Sequence, residues 1–142
     1  MDAESVRFRI LNDPPCEAVY RLYREAGWLD PEDTPETIAA LVSGSFCFCG
    51  AFTPDGTMIG MMRALSDGVS DAYLLDLVVQ ADCRKHGIGQ KILSVLSDHL
   101  RGLGIGWIVL IGAPGTESFY RKSQFAAMEG HTPYRDRVPK GE

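Results

Sequence analysis

The feature that most constrains this chain is a single change of hydrophobic period between Leu74 and Leu103. Leu74-Leu75-Asp76-Leu77-Val78-Val79 is an almost unbroken apolar run, which suits a strand buried on both faces. A polar loop follows from Gln80 to His86. Then Ile88, Ile92, Val95, Leu96, Leu100 and Leu103 recur at helical spacing, which predicts a helix from about Gly87 to Leu103, closed by Gly104. A buried strand that enters an amphipathic helix through a glycine-bearing loop calls for a mixed α/β layer structure. It also builds an anion cradle. The first N–H groups of a helix have no internal partner, and the helix dipole concentrates positive charge there. Gly87 and Gly89 let a bulky anion reach the backbone, while Arg84 and Lys85 add formal charge beside it.

The flanking segments fill in the architecture. Val6 to Leu11 alternates as a half-buried strand does, and Asn12-Asp13-Pro14-Pro15 turns the chain into a helix. That helix carries Ala18, Val19, Leu22, Tyr23 and Ala26 on one side and closes at Gly27. A shorter helix follows Thr34-Pro35, with Ile38, Leu41 and Val42 inward and Gly44 at its end. Phe46–Thr53 and Thr57–Leu65, joined by Pro54-Asp55-Gly56, predict an antiparallel hairpin, and Ala72–Val79 adds the third strand of a meander. Trp107–Ile111 reads as a short buried strand and Thr116–Ser123 as a last helix, with strand-like segments at 125–128 and 132–137. There is no internal repeat and no visible linker, so residues 1–142 are expected to form one domain.

Bulk composition narrows the partners. A hydrophobic share of 45% and a charged share of 23% are ordinary for a globular protein. A net charge of −5 argues against a nucleic-acid surface. No apolar run reaches the length of a membrane span, and the first residues lack the apolar stretch of a leader, so a cytoplasmic location is expected. Cys16, Cys47, Cys49 and Cys83 form no CxxC pair and have no zinc-like companion histidine, and Cys47 and Cys49 read as core residues on one face of a strand. His86, His99 and His131 show no metal-ligand pattern. No metal site is expected.

Three readings of the cradle compete. A nicotinamide site wants three spaced glycines in an early parallel βαβ unit, whereas here two glycines follow an antiparallel meander. A Walker loop would need Gly-Lys-Ser/Thr, which is absent. The plain alternative is a tight strand-to-helix turn with solvated basic residues.

Arg84-Lys85-His86-Gly87-Ile88-Gly89 resembles the Arg/Gln-x-x-Gly-x-Gly/Ala signature of the GNAT acetyltransferase superfamily. Asp76-Leu77-Val78-Val79 is similar to the strand that leads into that signature, and Phe119-Tyr120-Arg121-Lys122-Ser123-Gln124-Phe125 to the family's Phe-Tyr-x-x-x-Gly-Phe segment. With the matching element order, the resemblance covers nearly the whole chain. It implies a central, mostly antiparallel sheet with one splayed parallel pair, residues 72–79 and 107–111, flanked by helices. It implies acetyl-CoA as acyl donor. The coenzyme A pyrophosphate would lie on Arg84, Lys85, His86, Gly87, Ile88 and Gly89, the pantetheine arm along Leu77, Val78 and Val79, and Tyr120 would protonate the leaving thiolate. The acceptor would be an amine of a small molecule or peptide, and a homodimer is common among short members.

Three departures stand out. Gln124 replaces the usual glycine, which predicts a differently built turn; Ala113 replaces an asparagine seven residues before the tyrosine; and Leu75-Asp76-Leu77 replaces Glu-Asp-Leu. Asp76, Tyr73 and Glu25 are candidates for the base or amine-binding group. Asp76 among leucines needs a partner, and a structural hydrogen bond stands level with a catalytic role. Two other functions stay open: a non-catalytic acyl-CoA-binding module and a protein-directed acetyltransferase.

Overall fold

A computed structural model describes residues 1–139. Strand β1 (Arg7–Leu11) leads into helix α1 (Cys16–Ala26), whose buried Val19, Leu22 and Tyr23 follow the helical spacing. Gly27 ends α1 in the left-handed conformation at φ 78°, its N–H bonds the Arg24 carbonyl and the Trp28 N–H returns to the Tyr23 carbonyl, a Schellman stop. Helix α2 (Pro35–Gly44) starts on a capping box, in which the Thr34 and Thr37 side chains each take the other's backbone N–H. Strands β2 (Cys47–Phe52), β3 (Met58–Ser66) and β4 (Asp71–Val79) form the meander. A single 3₁₀ turn at Ala81–Cys83 precedes helix α3 (Ile88–Gly102), strand β5 (Trp107–Leu110) and the short helix α4 (Glu117–Arg121).

The five strands lie in sequence order, antiparallel except for the parallel pair β4–β5. Helix α3 covers one face, where Ile92, Leu93, Leu96 and Leu100 pack on Cys49, Met62, Ala64 and Leu74. Helices α1 and α2 cover the other, on Phe48, Phe52, Met61 and Val78. Both faces carry buried apolar side chains, as alternation on a sheet covered from both sides requires. Each Leu in this core, fully buried, contributes roughly 1.5–3 kcal/mol. Gly60 marks where α3 comes closest: a Cβ there would lie 2.9 Å from Ile92 and 3.1 Å from the Val78 carbonyl.

Several expectations need correction. Among the described residues no strand follows α4, so 125–128 and 132–137 are not strands. Thr132 to Arg137 alternates suitably, but a strand exists only through a partner, and no strand beyond β4 pairs with β5 there. Pro133 also removes a donor. Trp107 is 51% exposed and Leu103 48% exposed, so neither is a core residue.

Candidate functional site

The parallel pair separates where the chemistry was expected. β4 and β5 are matched only from Asp71↔Trp107 to Leu74↔Leu110. Beyond Leu74, β4 continues to Val79 while β5 has ended, so the two strands form a fork. From Leu75 to Val79, β4 has a strand partner on the β3 side alone.

Within the fork β4 carries a bulge. Met61 pairs with Val78 and Arg63 with Leu75, so two steps along β3 are matched by three along β4. The extra residue lies at Asp76, whose φ of 62° is left-handed. That conformation costs an L-residue about 1–2 kcal/mol, less for Asp than for most. The bulge resets the alternation. Ala72 and Leu74 face α3, and after Asp76 it is Leu77 and Val79 that pack on that side, while Val78 turns to α1.

The strand then opens onto the cradle. Gly87 caps α3 in the left-handed conformation at φ 77°, with no side chain capping the helix start. No neighbour stands within 4 Å of where a Gly87 side chain would begin, whereas a Cβ on Gly89 would lie 3.3 Å from the Phe119 ring. A cleft of about 570 Å³ runs from Leu77, Val78 and Val79 past Arg84, Lys85, Gly87, Ile88 and Gly89, with Phe119 and Lys122 opposite. The cleft thus joins an uncapped helix N-terminus, three basic side chains and a stretch of apolar β4. Its chemistry suits a ligand with an anionic end and an apolar arm.

Most of the residues singled out from the sequence meet here, but not all. His86 is exposed and does not line the cleft. Arg84 reaches back, its Nε donating to the Val79 carbonyl at 2.9 Å. The loop is pinned to α1 by two bonds: Glu25 accepts from the Ala81 N–H at 2.6 Å, and Arg21 donates to Gln80 Oε1 at 2.7 Å. Glu25 therefore serves the loop backbone in this structure. Tyr73 sits within the matched part of β4, opposite Val109, before the fork opens.

Tyr120 lines a neighbouring cleft of about 300 Å³ between β5, α4 and residues 125–128. Its ring lies 3.3 Å from the Cβ position of Gly112, just past the end of β5, so it borders the fork on the β5 side. Burial raises its pKa, which keeps the hydroxyl protonated. α4 is tied to α3 by Gln90, which donates to the Phe119 carbonyl at 2.7 Å and accepts from the Ser123 hydroxyl. After α4, Gln124 takes φ 68°, the left-handed conformation a glycine would adopt. The expected difference in this turn is overturned: the turn is of the glycine type, built with glutamine.

Asp76 is engaged on the far side of the sheet. Arg63 Nε donates to its Oδ2 at 2.7 Å and the Tyr23 hydroxyl donates to the same oxygen. Burial, reinforced by Asp76, pushes the Tyr23 phenol up. Arg63 was not singled out from the sequence. An arginine within a buried strand, 13 residues from an aspartate in the next, was the available signal.

The profile of the Acetyltransferase (GNAT) family matches residues 14–125, and the chain belongs to that family. A chloroplastic serotonin N-acetyltransferase 2 of Oryza sativa subsp. japonica is 36% identical over 86 residues, 58% of this chain and 43% of the rice protein. An uncharacterized N-acetyltransferase, ycf52, of Porphyra purpurea is 35% identical over 68 residues, 48% of this chain and 39% of that protein. The matched part thus spans less than half the length of these relatives. Among solved structures, a presumptive acetyltransferase of Deinococcus radiodurans R1 superposes with a TM-score of 0.73 at 27% identity, covering 95% of this chain and 92% of that one. A GNAT family acetyltransferase of Streptococcus pneumoniae TIGR4 shares the fold, with a TM-score of 0.76 at 20% identity over 94% and 99% of the two chains.

Proposed function

We propose that this protein is an N-acetyltransferase that takes an acetyl group from acetyl-CoA and passes it directly to an amine. The observation that carries the reading is the continuity of the cleft from the uncapped start of α3 to the fork between β4 and β5. The α3 N–H groups, with Arg84 and Lys85, hold the pyrophosphate. The β4 backbone from Leu77 to Val79 holds the pantetheine arm, because the fork frees it from strand pairing on the β5 side.

At the fork a fixed backbone N–H near Leu77 takes the oxyanion that forms when the amine attacks the acetyl carbonyl. Donors aimed at developing charge lower the barrier without reorganisation. The carbon–sulfur bond then breaks and the electron pair leaves on sulfur. Tyr120, kept protonated by burial, gives the thiolate its proton, and the proton shed by the amine nitrogen passes through solvent to restore the phenol. No covalent enzyme intermediate is needed.

A small-molecule acceptor heads the possibilities. Trp28, 42% exposed, lines the cleft and meets the Tyr23 ring edge-on at 5.2 Å; its indole suits an aromatic amine, and the rice relative carries the name of an enzyme for one. The test is release of free thiol from acetyl-CoA with a panel of arylalkylamines, aliphatic polyamines and a lysine peptide. Turnover with at least one amine supports the reading. Binding of acetyl-CoA with no turnover on any would favour a non-catalytic acyl-CoA-binding module.

A further inference from the structure

The bulge at Asp76 is held by side chains of three elements, Arg63, Tyr23 and Ser45, none of which lines the cleft. Asp76 Oδ2 accepts from Arg63 on β3 and from Tyr23 on α1. Arg63 Nη1 donates to Ser45 Oγ at 3.2 Å, and Ser45, at the end of α2, donates to the Leu41 carbonyl at 2.8 Å. Arg63 also donates from Nε to the Tyr23 oxygen at 3.1 Å. The Arg63 and Asp76 side chains are 13% and 25% exposed, so solvent screens this pair much less than a surface pair. Arg63 lies directly across from Leu75, the residue before the bulge.

The geometry points to a clamp: Arg63, Tyr23 and Ser45 fix Asp76 in its left-handed conformation, and this fixes the acyl end of the cleft. An unbroken alternation from Ala72 and Leu74 would carry Asp76 and Val78 towards α3 and turn Leu77 and Val79 away. The extra residue reverses that phase at the fork, two residues after pairing with β5 stops. Asp76 is thus a positioning residue acting through the β4 backbone, and its carboxylate takes no proton from the amine. The kinetic part of this inference rests on the proposed acetyl transfer; the structural part does not.

The series Asp76→Asn, Asp76→Gly and Asp76→Ala separates a clamp from a base. Asparagine tolerates the left-handed region and still offers Arg63 an oxygen, glycine takes that region freely, and alanine does neither. Turnover and the amide ¹H–¹⁵N shifts of Leu77, Val78 and Val79 are measured together, with melting curves to establish folding. The clamp predicts that Ala falls about tenfold or more below both Asn and Gly, as misplacement of a reacting group does, and that the Val78 and Val79 amide shifts, which do not adjoin the substituted residue, move in Ala alone. The acid limb of the pH–rate profile persists in Asn and Gly. Equal loss in all three variants, with the acid limb gone and the Gly amide shifts intact, would overturn it. Should Asp76→Ala not fold, Arg63→Met releases the clamp from the other side, and unmoved amide shifts there contradict the inference. If the unmodified protein turns over no amine, the acetyl-transfer reading fails, and the amide shifts alone still decide on the clamp.

Discussion

Replacing Gln124 with glycine should stabilise the protein. Gln124 follows α4 at φ 68°, where its N–H bonds the Arg121 carbonyl at 3.1 Å and the next N–H, of Phe125, bonds the Tyr120 carbonyl at 3.1 Å. Both bonds are made by the backbone and survive the substitution, and the exposed glutamine side chain makes no hydrogen bond among the described residues. An L-residue in the left-handed region gives up about 1–2 kcal/mol. Glycine removes that but loses roughly 0.5–1 kcal/mol more backbone freedom on folding. Taking the middle of each range, the net gain is about 0.7 kcal/mol. For a chain of this size each kcal/mol moves the midpoint by about 2–4 °C, so Tm should rise by about 1–3 °C. Differential scanning calorimetry on Gln124→Gly and Gln124→Ala decides it: Gly should melt above the unmodified protein and Ala should not. A Gly variant that melts at or below the unmodified protein would refute the argument, because left-handed strain would then not be the dominant cost at this turn.

Two further outcomes follow from groups whose burial shifts their titration. Tyr120→Phe keeps the ring beside Gly112 and should keep coenzyme A affinity while lowering turnover by about 100-fold, the low end for a lost general acid; unchanged turnover on a good amine would assign the proton to water. Burial pushes the Cys47 thiol up to about 11, and burial plus the Cys47 charge push Cys49 up to about 12. Their folded pKa values lie above the unfolded value of about 8.5, so the stability they add is complete below that pH and is lost as pH climbs towards 11–12. Tm should therefore fall above pH 9, less steeply in Cys49→Val; identical slopes would contradict the shift.

How much of this was legible from the residues divides by the range of the interaction. The α3 cradle, the β2–β3 hairpin, the Gly27 stop of α1 and the start of α2 after Thr34 rest on contacts within a few residues, and periodicity with turn chemistry captured them. The start of α1 has Pro15 at its cap position and no side-chain cap, against the expected cap in Asn12-Asp13-Pro14-Pro15. The fork was implied by family resemblance, and the register of β4 with β5 places its start at Leu74. The bulge escaped because, Asp76 apart, Leu74 to Val79 reads as one apolar run. Its trace was a switch of parity, from Ala72 and Leu74 to Leu77 and Val79. The partners of Asp76 lie 13 and 53 residues away, beyond any local pattern. Gln124 shows the converse: the tertiary position of α4, tied to α3 through Gln90, imposes a conformation its residue type disfavours. At 125–128 and 132–137 local alternation promised strands that no partner completes.

The measurement that bears most directly on the whole account is calorimetric titration of the protein with coenzyme A, run beside NAD and ATP and paired with melting curves. A ligand that binds only the folded state stabilises it by mass action, about 2.7 kcal/mol at one hundred times its Kd, or roughly 5–10 °C for a domain of this size. The cleft predicts saturable binding of coenzyme A with a rise of that order, smaller effects from NAD and ATP, and loss of affinity in Gly89→Val, whose side chain would meet Phe119 and crowd the cradle. No binding of coenzyme A, or equal shifts with all three ligands, would contradict the assignment of the α3 cradle and the β4–β5 fork to an acyl-CoA.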